Sequence, residues 1–252
     1  MSETACPKCG GSGWVVVERE EISGAERCDC TLDGRAARIE ANAGIPPLYR
    51  PKSIDDFLLP QNDPPASFAL GRILLTVKSY VREFPSDDKP GLLFIGDPGT
   101  GKTHLAVAAL RMLIGRGFEG LFFDYQNLLD RIRSSYDHNS GSSDREAYRS
   151  ALDAEILQLD DLGAHRVTNW VEDIVTSIIT WRCNHRKALI ATTNLRDEEA
   201  GDAPKPAGMA GDLVSKYYLG ERIGIRARSR LFEMCKVVRM PAIADYRLRP
   251  SR

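Results

Sequence analysis

Eight residues constrain this chain more than any others. Gly96 to Thr103 reads GDPGTGKT, which fits the pattern G-x-x-x-x-G-K-[ST]. An apolar run, Leu92 to Ile95, precedes it, and a helix-permissive run, His104 to Leu113, follows. Strand, glycine-rich loop and helix in that order make a phosphate cradle. The glycines let the backbone turn tightly enough to point its N–H groups inward, and the helix N-terminus adds partial positive charge. The candidate nucleotide contacts are Gly96, Asp97, Pro98, Gly99, Thr100, Gly101, Lys102, Thr103 and the following His104. Lys102 can reach β- and γ-phosphates, and the Thr103 hydroxyl can ligate Mg²⁺. The loop therefore predicts a nucleoside triphosphate as ligand.

A second stretch completes that chemistry. Ile156 to Asp161 reads ILQLDD, an apolar strand ending in two acids. Such a strand brings carboxylates to the sheet edge beside the loop. Asp160 is placed to hold Mg²⁺, directly or through water, and Asp161 to orient or deprotonate an attacking water. Ala188 to Asn194 is a further strand ending in a polar cluster. Asn194 there either contacts the γ-phosphate or the attacking water, or is an ordinary turn residue.

The N-terminus carries a different signal. Cys6 and Cys9 form one pair, Cys28 and Cys30 another, and a hairpin-like segment with Val15 to Val17 lies between. Paired thiols on two tight turns suit tetrahedral zinc, and four sulfur ligands leave no open position, so the expected role is structural. Cys183 and Cys235 have no evident partner. The domain boundary falls at the break GIPPLYRP, giving a four-cysteine zinc-binding module with a helical linker over 1–43 and an ATPase domain over 44–252.

Composition narrows the remaining classes. Hydrophobic residues are 42% of the 252, enough for a packed core, and the net charge of −1 rules out global basicity. Any nucleic-acid contact must be local. No apolar run approaches the roughly 18 residues of a membrane span, and no signal-peptide pattern follows Met1, so a soluble cytoplasmic protein is expected. Between these motifs, apolar residues at helical spacing predict helices over 66–84, 128–136, 145–152 and 171–179. Asp212 could cap a short helix running to Leu219. From Lys216 onward there are ten Lys or Arg and three acids, with Arg222, Arg226, Arg228 and Arg230 clustered. Such a run is either a solvated face or a source of phosphate contacts.

Taken as an ordered set, GDPGTGKT, ILQLDDLG, ATTN, RSRLFEMC and DYR resemble the AAA+ ATPases of the DnaC/DnaI helicase-loader group and the IstB-type transposition helpers. The resemblance covers roughly residues 45 to 249. It implies a three-layer P-loop α/β domain with a mostly parallel sheet and no C-terminal helical lid. It matches Asn194 to sensor 1, Arg230 to an arginine finger acting on a neighbouring subunit, and Arg247 to the sensor 2 arginine. Spacing alone does not choose Arg230 over Arg226 or Arg228. Asp161 stands where many such proteins carry Glu, which implies slow hydrolysis, closer to a timed switch than a motor.

The resemblance also implies partners. These are a DnaB-type replicative helicase gripped by the N-terminal module, single-stranded DNA and an ATP-dependent homo-oligomer. The segment Gln126 to Leu152 sits where the loaders contact DNA; here it holds Arg131, Arg133, Arg145 and Arg149 with Tyr136 and Tyr148. Cations interleaved with aromatics suit backbone tracking and stacking, while a solvated helical pair accounts for the same residues. Two further readings stay open: an IstB-like transposition helper, and an ATP-gated binding module with negligible turnover. The cysteine module favours the loader over the transposition helper.

Overall fold

Four short apolar runs and one mixed stretch form the strands of one parallel sheet. They are β3 (Gly91–Ile95), β4 (Gly120–Asp124), β5 (Ile156–Asp160), β6 (Ala188–Thr193) and β7 (Cys235–Arg239), in the spatial order β4-β5-β6-β3-β7. The computed structural model describes residues 6–9, 14–19, 22–86, 88–134, 142–164, 168–197 and 218–248. A parallel sheet must be covered on both faces, so its strands are continuously apolar. β3 accordingly is buried at every residue, with Leu92 and Phe94 in one core and Leu93 and Ile95 in the other.

The first core lies under α2 (Pro64–Glu83) and α3 (Lys102–Gly115). Asp63 starts α2 by accepting the Ala66 N–H at 3.0 Å, with prolines in the first turn. Helix α3 is buried almost all round because it is packed between the sheet, α2 and α1 (Asp29–Asn42). The second core lies under α4 (Tyr125–Ser134), α5 (Ser142–Asp153), α6 (Asn169–Asn184), α7 (Leu219–Ile223) and α8 (Ile225–Met234). A separate hairpin, β1 (Trp14–Arg19) and β2 (Ile22–Arg27), pairs antiparallel in the expected place between the cysteines.

Two features differ from what periodicity alone suggests. β7 lies inside the basic C-terminal run, as CKVVR. It is an edge strand in which Lys236 and Arg239 remain exposed on opposite faces, so its pattern carries no clear strand signal. Leu219 begins a helix rather than ending one, and Asp212 lies outside the described residues.

Arg182, on α6, is wholly buried. It donates to the carbonyls of Ala151 (2.9 Å), Leu152 (3.1 Å), Ala154 (2.9 Å), Glu155 (3.3 Å) and Ala188 (2.5 Å). Two of these are at the end of α5, where helix carbonyls lack intrahelical donors. A cation at that end also complements the helix dipole. Burial pushes the Arg182 guanidinium down to about 9. Its two terminal nitrogens, splayed in one plane, reach all five carbonyls while Nε finds no partner, and the single nitrogen of a lysine could not span them.

Candidate nucleotide site

The loop after β3 is built from residues in conformations that side chains resist. Gly101 has φ +93°, and a Cβ there would meet the Phe57 ring at 2.4 Å. The Asp97 carbonyl accepts from both Thr100 Oγ1 and Lys102 Nζ, each at 2.8 Å. Lys102 is buried, and that burial pulls its ammonium down to about 8 against the attraction of Asp161, Asp160 and Asp97. Three carboxylates around one buried cation mark a strongly polarised pocket.

Strand order explains how distant motifs meet. β6 lies between β3 and β5, so its polar end separates the loop from the two acids. Thr192 uses that position twice: its hydroxyl donates to Asp160 Oδ1 at 2.7 Å and accepts the Asp161 N–H at 3.0 Å. Thr193 Oγ1 donates to the Leu162 carbonyl at 2.8 Å, and its own carbonyl accepts the Gly96 N–H at 3.3 Å. From the loop side, Thr103 Oγ1 donates to Asp160 Oδ2 at 3.2 Å. Asn194 Nδ2 donates to Asp161 Oδ1 at 2.8 Å. Asp161 adopts φ +55°, a conformation Asp tolerates better than most residues.

The structure thus brings together Lys102, Thr103, Asp160, Asp161 and Asn194. Burial lifts the Asp160 carboxyl to about 6, opposed by the hydrogen bonds from Thr192 and Thr103. A threonine hydroxyl and a carboxylate this close are hard oxygen donors of the kind Mg²⁺ takes alongside phosphates, so the residues fit that ion.

Tyr49 had no signal in its own stretch of sequence, while His104 and Arg222 act on protein carbonyls beside the site. Tyr49 comes from the segment before α2. It lies against Thr103 and Asp160, and its phenol is pushed up first by burial and then by the Asp160 charge. His104 Nε2 lies 2.6 Å from the Ser53 carbonyl, its ring edge-on to Phe57. It therefore braces the entry segment, and burial pulls its imidazole down. Arg222 holds the turn after Asp161 through the carbonyls of Gly163 (2.9 Å) and Ala164 (3.2 Å).

The late arginines separate. Arg228 (2.5 Å) and Arg239 (3.1 Å) both reach the buried Asp197, and Arg228 also lies over Phe232. Arg226 is exposed. Arg230 is exposed, pairs with Glu233 at 2.6 Å and neighbours Cys183 of α6; it is not brought to the loop of its own chain. Arg247 stands close enough to act on Lys102 and Tyr49.

Away from this site, Arg131 lies over the Phe123 ring and Arg133 over Trp170. The Tyr148 hydroxyl meets Ser177 at 2.8 Å, and Arg149 is exposed. Tyr136 and the side chain of Arg145 lie outside the described residues. At the N-terminus, the sulfurs of Cys6, Cys9 and Cys28 all fall within 4.8 Å of one another, with Cys6 and Cys28 3.8 Å apart. Zinc–sulfur bonds of about 2.3 Å in a tetrahedron set sulfurs about 3.8 Å apart, so this spacing fits. The side chain of Cys30 lies outside the described residues.

Comparison with known proteins agrees with this geometry. The crystal structure of the DnaC helicase loader superposes with a TM-score of 0.61 at 29% identity, covering 78% of this chain and 100% of that one. The crystal structure of DnaI shares the fold, with a TM-score of 0.56 at 19% identity, covering 82% and 98%. An AMPPCP-bound DnaA from Aquifex aeolicus shares it too, at 19% identity and a TM-score of 0.51, over 80% of this chain and 53% of that one. The fold is the AAA+ one. Replicative helicase loader DnaC of Escherichia coli strain K12 is 27% identical over 126 residues, 50% of this chain and 51% of that protein. The chain thus spans about half the length of this curated relative. No described helix is long and apolar enough to cross a membrane. The sequence model of one family, described as IstB-like ATP binding protein, matches residues 76–213, more than half of the chain and the whole stretch from the phosphate loop through Asn194. The chain belongs to the family of IstB-like ATP binding proteins.

Proposed function

We propose that this protein is an ATP-controlled loader of a replicative helicase. The observation that carries the reading is the joined pair of contacts Thr103–Asp160 and Asn194–Asp161 at the end of the sheet. It occurs in a chain that matches the DnaC helicase loader across the whole of that structure. Lys102 and the loop N–H groups bind the triphosphate. Thr103 and Asp160 hold Mg²⁺, which supplies the positive charge that offsets the phosphate oxygens. Asp161, kept in place by Asn194, orients the water that attacks the γ-phosphate. Its short side chain suits a weak ATPase. Arg247 contacts the phosphates within the chain, and Arg230 completes the site of a neighbouring copy, which makes hydrolysis depend on assembly.

The cysteine module grips the helicase, with zinc held by Cys6, Cys9, Cys28 and Cys30 as its structural centre. Single-stranded DNA runs past Arg131, Arg133 and Arg149. Replacing Arg131 and Arg133 together by alanine is expected to weaken binding of single-stranded DNA and flatten its salt dependence. The deciding experiment for the function is co-purification of the host replicative helicase on this protein with and without ATP. Retention supports the loader. No retention under either condition sinks it, and favours the second reading, a transposition helper, which the name of the matching family keeps open.

A further inference from the structure

Gly99 stands at a position where the loop pattern accepts any residue, yet a side chain there has no room. Its φ of +73° already favours glycine, although Asn also tolerates that region. The steric demand is stricter. A Cβ at Gly99 would lie 1.8 Å from Asp245 Oδ1 and 2.1 Å from Asp245 Cγ. The Asp245 side chain fills the notch that the missing Cβ leaves.

The same turn is tied to the loop and to itself. The Tyr246 N–H donates to the Gly99 carbonyl at 3.1 Å. Asp245 Oδ1 accepts the Arg247 N–H at 2.9 Å and stands 3.9 Å from Arg247 Nε. The Leu248 N–H donates to the Asp245 carbonyl at 3.1 Å, closing the short 3-10 turn Tyr246–Leu248. Arg247 itself is 71% exposed. A long exposed side chain on a terminal turn loses binding energy to its own freedom unless its backbone is fixed first.

We infer that Asp245 is a positioning residue: seated on Gly99, it fixes the terminal turn and so aims the Arg247 guanidinium at the phosphate end of the bound nucleotide. This rests on the reading of Arg247 as a phosphate contact. Gly99 is then the socket for a second motif as well as part of the cradle.

The test is equilibrium binding of fluorescent ATP and ADP analogues to the full chain carrying Asp245→Ala, Asp245→Asn, Arg247→Ala or Asp245→Ala with Arg247→Ala. Losing a charge-assisted contact to the terminal phosphate costs roughly tenfold in ATP affinity. Asp245→Ala and Arg247→Ala are each expected to show that loss, with ADP affinity changed less than about twofold and the double variant no weaker than either single one. Asp245→Asn keeps an oxygen for the Arg247 N–H and is expected to restore most of the preference for ATP. Additive losses in the double variant overturn the inference. So does an Asp245→Ala protein that binds ATP normally while Arg247→Ala does not, or one that loses ADP as badly as ATP. An Arg247→Ala protein with both affinities intact removes the reading of Arg247 and this inference with it.

Discussion

Asp160 shows at the scale of one residue how a binding site works against the stability of its own fold. Burial lifts its carboxyl from 3.8 to about 6, so the folded protein prefers the neutral form. The stabilising preference is therefore complete below about pH 4 and is lost as pH rises through about 6. The difference corresponds to a cost on the order of 3 kcal/mol at neutral pH. Asp160→Asn, studied with chelator and without nucleotide, is expected to resist denaturant better than the native protein at pH 8, with the gap closing towards pH 4. The same variant is expected to lose Mg²⁺-dependent ATP binding. Asn194→Ala removes the side-chain hydrogen bond that restrains the Asp161 carboxylate; turnover is expected to fall about tenfold or more with ATP affinity nearly unchanged, read by steady-state phosphate release and nucleotide binding. Of this site, Lys102, Thr103, Asp160 and Asp161 were legible in the sequence because each motif is continuous in the chain. Tyr49 and Thr192 were not. Their roles arise only when the sheet brings them beside Asp160: the polar cluster around Thr192 is visible in the sequence, but its partner is not.

Among the elements, the pairing of α5 with α6 depends on Arg182. Arg182→Met keeps most of the volume but strands carbonyls at the end of α5 and the start of β6. The expected cost is about 3 kcal/mol or more, and the melting temperature is expected to drop by about 10 °C. Arg182→Lys is expected to recover only part of it, since three donors on a point charge cannot reach five acceptors. Periodicity found most helices, and apolar runs marked β3, β5 and β6. It missed β7 because a short edge strand carrying Lys236 and Arg239, inside a basic run, looks like a solvated tail. It also could not separate two uses of arginine in α4. Arg131 and Arg133 read either as backbone contacts for DNA or as part of a solvated helical pair, and both lie over rings of neighbouring elements. Helix α3 also has a role beyond carrying the loop. Arg111 reaches Glu40 Oε1 at 2.5 Å and the Lys52 carbonyl at 2.6 Å, and His104 reaches Ser53. The entry segment is thereby fastened along the helix that follows the glycine-rich loop.

For the molecule as a whole, the cysteine cluster and the nucleotide site are built from separate parts of the chain. Removing metal with a strong chelator is expected to speed hydrogen exchange across Trp14–Arg27 while leaving ATP affinity within about twofold, and the native protein is expected to carry about one zinc per chain. Loss of ATP binding on chelation would contradict that separation. The α/β class was legible from alternating strands and helices. The strand order was not, because β3 pairs with no strand near it in sequence: its neighbours are β6, which begins at residue 188, and β7, which begins at 235. That pairing has a consequence for how the protein is made. During synthesis, β3 emerges from the ribosome well before its partners, which begin at residues 188 and 235. At about 5–20 residues per second that wait lasts many seconds. The strand that carries the phosphate loop is thus an unpaired apolar segment for that whole interval, when a chaperone's protection matters for it.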